Sequence, residues 1–457
     1  MLKKKVLKQN NLLRLQKRLA VMMLALTFGL GTGCGKADDG ADGTVSSEVA
    51  VSTDAQTDAG AEEEDGQESK KATEDKDETY VEGTYSSDSY DVAEFAAEPR
   101  KKTDEEGNRG VYYEIFVRSF ADSDGDGIGD LNGVTKKLDY LQELGIDGIW
   151  LMPITASDTY HGYSVTDYVT VNPDYGTEDD LKRLLDEAHS RDMKVIMDLV
   201  INHTSINHPW FQAAKSDENS EYRDYYRWVY KTDKKDCNHL LDKSSWGDMV
   251  WHQEGDFYYY GVFGADMPDL NYNNPDVRQA AKDAAGHWLE LGLDGFRMDA
   301  AVHIYGAHEF KQQEDSEAAN ITWWNEFAGY CESINPDVYL VGEVWQDDKV
   351  LENYVQPFDT KFDFAIQQKI LNCVQKGMAV PGFGDSLSVA IENIQNKYDG
   401  VDANYLNGIF GANHDQDRIV SSVNSLDKAR QIAAVYMTLP GNPYIYYGEE
   451  LGMYGSK

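Results

Sequence analysis

The chain has 457 residues, 41% hydrophobic and 12% aromatic, which is enough for a large core and excludes wholesale disorder. It carries 42 basic and 80 acidic residues, a formal charge of −38. A surface this acidic repels phosphate, so a nucleic-acid partner is excluded as well.

Residues 1–18 hold Lys3, Lys4, Lys5, Lys8, Arg14, Lys17 and Arg18 and no acid. Leu19 to Leu30 is free of charge, and Gly31-Thr32-Gly33-Cys34 follows. A basic start, a short apolar run and small residues make residues 1–33 a secretory signal. The apolar run falls short of the roughly 20 residues that a spanning helix needs, though an uncleaved anchor helix stays open. Leu30 to Cys34 resembles a bacterial lipobox, with Gly31 where that motif has leucine. The resemblance implies lipid attachment at Cys34, which would make this an extracellular, cell-surface lipoprotein held to the membrane. Residues 34–109 read as an acidic tether. From Asp38 to Asn108 there are 23 acids against 6 bases and few large apolar residues. Such a stretch cannot bury enough surface to offset its chain entropy, and its charges repel one another.

From Gly110 the texture changes. Segments rich in β-forming residues cover 110–120, 146–154, 194–203, 292–300, 338–345, 361–366, 408–415 and 443–450. Between them run amphipathic segments such as 181–192 and 277–292. Continuous apolar runs separated by helices indicate buried parallel strands. Eight such units predict a (β/α)8 barrel built from 110–203 and 271–457, with a doubly wound sheet as the alternative on pattern alone. Residues 204–270, after the third strand, are rich in Trp, Tyr and His and read as a small inserted subdomain. The sequence stops at Lys457 just after the eighth strand, so the barrel is expected to be truncated there.

After the first strand comes Asp122-Ser-Asp124-Gly-Asp126-Gly-Ile128-Gly-Asp130. Dense acids converge when a hard cation neutralises them, so Asp122, Asp124, Asp126, Asp130 and the Ile128 carbonyl are candidate Ca2+ ligands. Gly133 stands where an EF-hand loop has glutamate, so this is a DxDxDG loop on another scaffold. A solvated acidic turn is the alternative. Cys237, Cys331 and Cys373 are too few for a disulfide scaffold, and a single bridge among them stays open.

Polar residues gather at the predicted strand ends, the catalytic face of such a barrel, where buried charge needs a reason. Five strings there resemble, in order, the conserved regions of the α-amylase family of glycoside hydrolases, family 13. Asp198-Leu-Val-Ile-Asn202-His203 is similar to the first region, and Gly295-Phe-Arg297-Met-Asp299-Ala-Ala-Val-His303 to the second. Glu343-Val-Trp345 is similar to the third and Asn413-His414-Asp415 to the fourth. Met267-Pro-Asp-Leu-Asn271 is similar to the fifth, in the form seen in oligo-1,6-glucosidases and neopullulanases. His161-Gly-Tyr163 precedes them, and the resemblance spans 110–457.

Glycosidic cleavage needs one carboxylic acid to protonate the leaving oxygen and a second carboxylate on the other face of the sugar. The resemblance implies a retaining enzyme with Asp299 as nucleophile, Glu343 as acid/base and Asp415 as a binder of sugar hydroxyls. It implies that Arg297 keeps Asp299 ionised and belongs to the substrate-binding set, that His203 and His414 bind hydroxyls, and that Tyr163 stacks on the sugar. It also implies a calcium loop after the first strand. Asp198 reads as an internal hydrogen-bonder. Ala300 and Ser164 lean toward endo cleavage of α-1,4 bonds in an α-glucan such as starch, because α-1,6-preferring relatives tend to carry Val and many exo-acting ones Asp at these places. The fifth region leans the other way, toward an α-1,6-acting or neopullulanase-like enzyme. The rivals from another class are non-catalytic: a carbohydrate-binding barrel, or a relative such as the heavy chain of an amino-acid transporter, which has lost the carboxylates kept here. Oligomeric state is not legible.

Overall fold

In a computed structural model the described residues are 100, 108–230, 240–306, 313–346, 348–377 and 386–457. Residues 1–33, Cys34, nearly all of the tether and Cys237 lie outside them. Eight short strands form one parallel sheet: β1 (Tyr112–Ile115), β2 (Gly148–Leu151), β3 (Lys194–Leu199), β4 (Gly295–Met298), β5 (Tyr339–Gly342), β6 (Thr360–Lys361), β7 (Gly408–Phe410) and β8 (Asn442–Tyr446). Their order is β6-β5-β4-β3-β2-β1-β8-β7. A parallel bridge from Phe362 to Gly408 joins the two ends. The sheet therefore closes, as expected for the barrel, and the open doubly wound alternative is removed.

The strands are apolar on both faces because each face is covered. Alternation sends Tyr112, Trp150, Ile196, Tyr339, Val341, Phe410 and Tyr444 into one cluster that fills the barrel. Tyr113, Ile149, Val195, Met197 and Leu340 join the larger cluster shared with the helices. Inside the barrel the Tyr339 hydroxyl accepts from Asn442 Nδ2 at 2.8 Å and bonds Thr360 Oγ1 at 2.9 Å, so the buried polar atoms are satisfied. β4 and β5 approach so closely that a Cβ at Gly295 would collide with the Tyr339 carbonyl.

The expected helices form close to their predicted places. α1 (Glu178–His189) starts at a capping box of Thr177 and Asp180 and buries Leu181, Leu184, Leu185 and Ala188. α2 (Pro275–Glu290) starts at the Asn274 cap with Pro275 in its first turn. One expected strand, 361–366, turns into helix halfway along. β6 ends at Lys361, and Asp363 caps α3 (Phe364–Lys376) by accepting from the Ile366 amide at 2.8 Å. The cap outweighs the β-like composition of 361–366. A hairpin of Thr155–Ser157 with Val165–Val171 was not foreseen. The described part of 204–270 holds a helix (Pro209–Ser216) and a three-stranded antiparallel sheet of 228–230, 251–254 and 257–260. Val229, Val250, Trp251, Tyr260 and Val262 give it a small core of its own. Among the described residues no helix is long and apolar enough to cross a membrane. Cys331 and Cys373 are unbridged there.

The ordered chain reaches back before Gly110. Asn108 is buried, and its carbonyl accepts from the Tyr112 hydroxyl and from Asn442 Nδ2. Arg100, part of the tether by composition, is packed on the barrel with its side chain only 2% exposed. Its Nε meets Glu332 Oε1 at 2.5 Å and its Nη1 meets Asp359 Oδ2 at 2.9 Å. Its amide donates to Asn325 Oδ1 at 3.1 Å. Asp359 just precedes β6, so Arg100 docks at the N-terminal end of the barrel, away from the strand C-termini. Arg100→Ala leaves two acids without their cation. It should lower the unfolding free energy by about 3 kcal/mol, the low end for a broken buried pair because Glu332 is 23% exposed. Denaturant titration of the full chain checks this, and an unmoved midpoint defeats it.

Candidate active site

Arg297 lies on β4 two residues before Asp299, so both side chains leave the same face of the strand. The guanidinium is fully buried and touches three carboxyls. Its Nη1 donates to Asp198 Oδ1 at 2.7 Å and to Asp299 Oδ1 at 2.5 Å. Its Nη2 lies 2.7 Å from Glu343 Oε1. Asp198 comes from β3 and Glu343 from just past β5, so three adjacent strands supply the trio. Arginine cannot shed its proton here, which makes it a permanent counter-ion for buried acids.

Asp198 is saturated from inside, since its Oδ2 accepts from Trp150 Nε1 at 3.2 Å and from the Tyr163 hydroxyl at 3.1 Å. Glu343 Oε2 accepts from the Ala300 amide at 3.0 Å. Ala300 takes a φ of 49°, a left-handed turn that is uncommon outside glycine. Burial pushes the Asp299 and Glu343 carboxyls up, and the Arg297 charge pulls both down. The charges of Asp299 and Asp415 raise Glu343 further, and that of Asp415 raises Asp299, whose hydrogen bond from Arg297 favours its ionised form. Burial and the Asp299 charge raise Asp198 as well, to about 7, against the pull of Arg297. The three acids therefore titrate together on a common cation.

The opposite wall comes from the ends of β1 and β7. Asp415 is 27% exposed, and its Oδ2 lies 3.1 Å from His414 Nε2. Burial raises its pKa, but the His414 hydrogen bond and charge, with Lys457 at 2.7 Å, hold it far below the ordinary range. Burial also works against a charged His414, yet Glu114 and Asp415 push its pKa up to about 10. Its ring stacks on Tyr163 at 5.5 Å between centroids, and His161 stacks on Tyr163 as well, at 5.8 Å.

The structure therefore gathers Asp299, Glu343, Asp415, His414 and Tyr163 around one mouth. Arg297 and His203, expected to bind substrate, stand behind it. Arg297 is consumed by carboxyls, and His203 is buried with Nε2 on the Tyr163 carbonyl at 3.0 Å. Burial lowers the His203 pKa to about 4, so it is neutral at pH 7. Glu114 was missed. The available signal was a single acid inside the apolar run Tyr-Tyr-Glu-Ile.

Aromatic rings line the rim. Trp345 is half exposed and stacks on Phe364 at 4.3 Å and 6°. Exposed Tyr160 leans on His161. Half-exposed Trp246 stacks on Phe263, which packs against His203 and His303.

In the acidic loop, carboxylate atoms of Asp122, Asp124 and Asp130 lie within 4.8 Å of one another, and Asp126 is outside that group. Asp122 accepts from the amides of Gly125 and Gly127 at 2.6 and 2.9 Å, which holds its carboxyl below the usual range. Asp130 caps the helix Leu131–Lys136 through the Gly133 amide at 2.7 Å. These donors are hard oxygens, as Ca2+ prefers.

A family model described as the catalytic domain of alpha amylase matches residues 114–457. "Alpha-amylase 3" of Dictyoglomus thermophilum is 45% identical over 350 residues, covering 76% of this chain and 65% of that protein. A "4-alpha-glucanotransferase" of Thermotoga neapolitana is 37% identical over 349 residues, covering 76% and 72%. The crystal structure of an alpha-amylase from H. orenii superposes with a TM-score of 0.68 at 45% identity, covering 76% of this chain and 70% of that one. The chain thus spans 65% of the length of its Dictyoglomus relative. A match of that extent, on a closed parallel barrel with its acids at the strand ends, means that the chain belongs to the α-amylase family of glycoside hydrolases.

Proposed function

We propose that this chain is a retaining, endo-acting hydrolase of α-1,4-glucosidic bonds in starch or maltodextrin. The observation that carries the reading is the pair of carboxyls, Asp299 and Glu343, held by one guanidinium. A retaining enzyme needs its two carboxyls close, at about 5–5.5 Å, because one of them attacks the sugar directly. Glu343, kept protonated, gives its proton to the glycosidic oxygen as Asp299 attacks the anomeric carbon and the leaving chain departs. Glu343 then takes a proton from water, which attacks the same carbon and frees Asp299. Asp415, ionised and partly exposed, accepts from sugar hydroxyls. Exposed Tyr160, Trp246 and Trp345 suit the flat faces of a long glucan. Ala300 supports the α-1,4 reading, because relatives that prefer α-1,6 bonds tend to carry Val at this place. The fifth region, Met267 to Asn271, favours the second reading, an α-1,6-acting or neopullulanase-like enzyme.

The full chain should cleave end-blocked maltoheptaose, and Asp299→Asn should lower kcat on the order of 10⁴-fold. No cleavage, with isomaltose or panose hydrolysed instead, moves the protein to the second reading.

The acidic loop holds a structural Ca2+ through Asp122, Asp124 and Asp130, with Asp126 and the Ile128 carbonyl as the remaining candidates. A ligand bound only by the folded state stabilises it, by about 2.7 kcal/mol at a hundredfold excess over Kd. EDTA should therefore lower the melting temperature, and added Ca2+ should restore it. A melting curve indifferent to both removes the metal.

The protein is exported and anchored through a lipid on Cys34. Cys34→Ser should move it from the membrane fraction to the medium, and an unaltered distribution would refute the anchor.

A further inference from the structure

Glu114 occupies the third position of β1, between Tyr113 and Ile115, and is almost fully buried. A buried carboxylate is costly unless it is paired. Its partner is His414. Glu114 Oε1 lies 2.6 Å from His414 Nδ1 and accepts from the His414 amide at 3.3 Å. One oxygen thus fixes both the ring and the backbone of a residue 300 positions away. The other ring nitrogen, Nε2, lies 2.7 Å from the Tyr163 hydroxyl and 3.1 Å from Asp415 Oδ2. The Tyr163 hydroxyl donates onward to Asp198, so toward His414 it presents a lone pair. Nε2 therefore faces two acceptors and Nδ1 faces a third. The only state of the ring that serves all three carries both protons.

We infer that Glu114 is a positioning residue that keeps His414 as an imidazolium, with Nε2–H held between Asp415 and the Tyr163 oxygen at the cleavage site. This rests on the hydrolase reading above and deepens it. The charged groups facing His414 are Glu114 from β1, Asp415 from its own loop, Asp198 from β3 behind Tyr163, and Asp299 from the end of β4, while the Arg297 charge acts on Glu114. Trp150 from β2 offers a ring edge, and Tyr163 and His161 complete the stack. Apart from Glu114, the acids in this set already serve the substrate or Arg297. Glu114 is the one anion whose hydrogen-bonded partner is His414 alone. Its work is to supply charge where no sugar reaches. A neutral ring would turn a lone pair toward either Asp415 or Glu114. The first repels the carboxylate that binds the sugar, and the second repels the one that orients the ring.

Glu114→Gln keeps the shape and an acceptor for Nδ1–H and removes the charge. The His414 ring then titrates near or below the ordinary histidine value of about 6.5. The ratio of variant to wild-type kcat/KM on a maltooligosaccharide should fall with rising pH. It should lose about 10-fold or more between pH 5 and pH 8, the worth of one charge-assisted hydrogen bond. A loss equal at all pH values, which a packing defect produces, overturns the proposal, and so does no loss. A second measurement needs neither the variant's fold nor turnover. In full-length protein with ¹⁵N-labelled histidine, the resonance that vanishes in His414→Gln should keep imidazolium shifts up to pH 8. Neutral-ring shifts at pH 7 overturn the proposal. If the wild-type protein cleaves no glucan at all, the hydrolase reading fails and this spectrum still decides the charge of His414.

Discussion

A guanidinium with no access to water sits where β3, β4 and β5 end, and the three acids of that wall are arranged around it. Burying Asp198, Asp299 and Glu343 within reach of one another would be prohibitive without a cation, because each charge loses its hydration and repels the others. Arg297 meets that requirement with a charge that does not titrate. Its hydrogen bonds and charge pull all three carboxyls down, against the burial that pushes them up.

A second cation, His414, balances the opposite wall. Arg297 and His414 are linked through Asp198 and the Tyr163 hydroxyl, so the wall of β1, β7 and β8 and the wall of β3 to β5 share one hydrogen-bonded chain. A chain of this kind gains rigidity from each satisfied member, and the Asp198, Tyr163 and His414 side chains each bond at least two neighbours along it or beside it. The aromatic filling below excludes water and lowers the local dielectric, which strengthens each link. The exposed rings of the rim sit above it and carry no part of the charge balance.

Much of this was legible. Alternating apolar and amphipathic segments marked eight strands, and eight strands form the barrel. Asp299, Glu343 and Asp415 stood out as acids at strand ends in strings resembling one family. Some departures were local: the Asp363 cap turned 364–366 into the start of a helix where composition favoured strand. Others were long-range. Arg297 and His203 carry the residue types of substrate binders, yet neighbours distant in sequence occupy their polar atoms. Arg100 sits in a segment whose average composition is that of a tether, and averages do not register one docked residue.

The class of fold, the acids and the one arginine at the strand ends were readable along the chain, because apolar periodicity and residue chemistry are local properties. How the acids around Arg297 share their charge, which histidine is charged, and that Glu114 belongs to the site were not. Those follow from burial and from contacts between residues up to 300 positions apart, and barrel closure alone brings those residues together. A pKa is set by the dielectric and the charges within a few ångströms, and in a chain of this length only tertiary structure decides what those are.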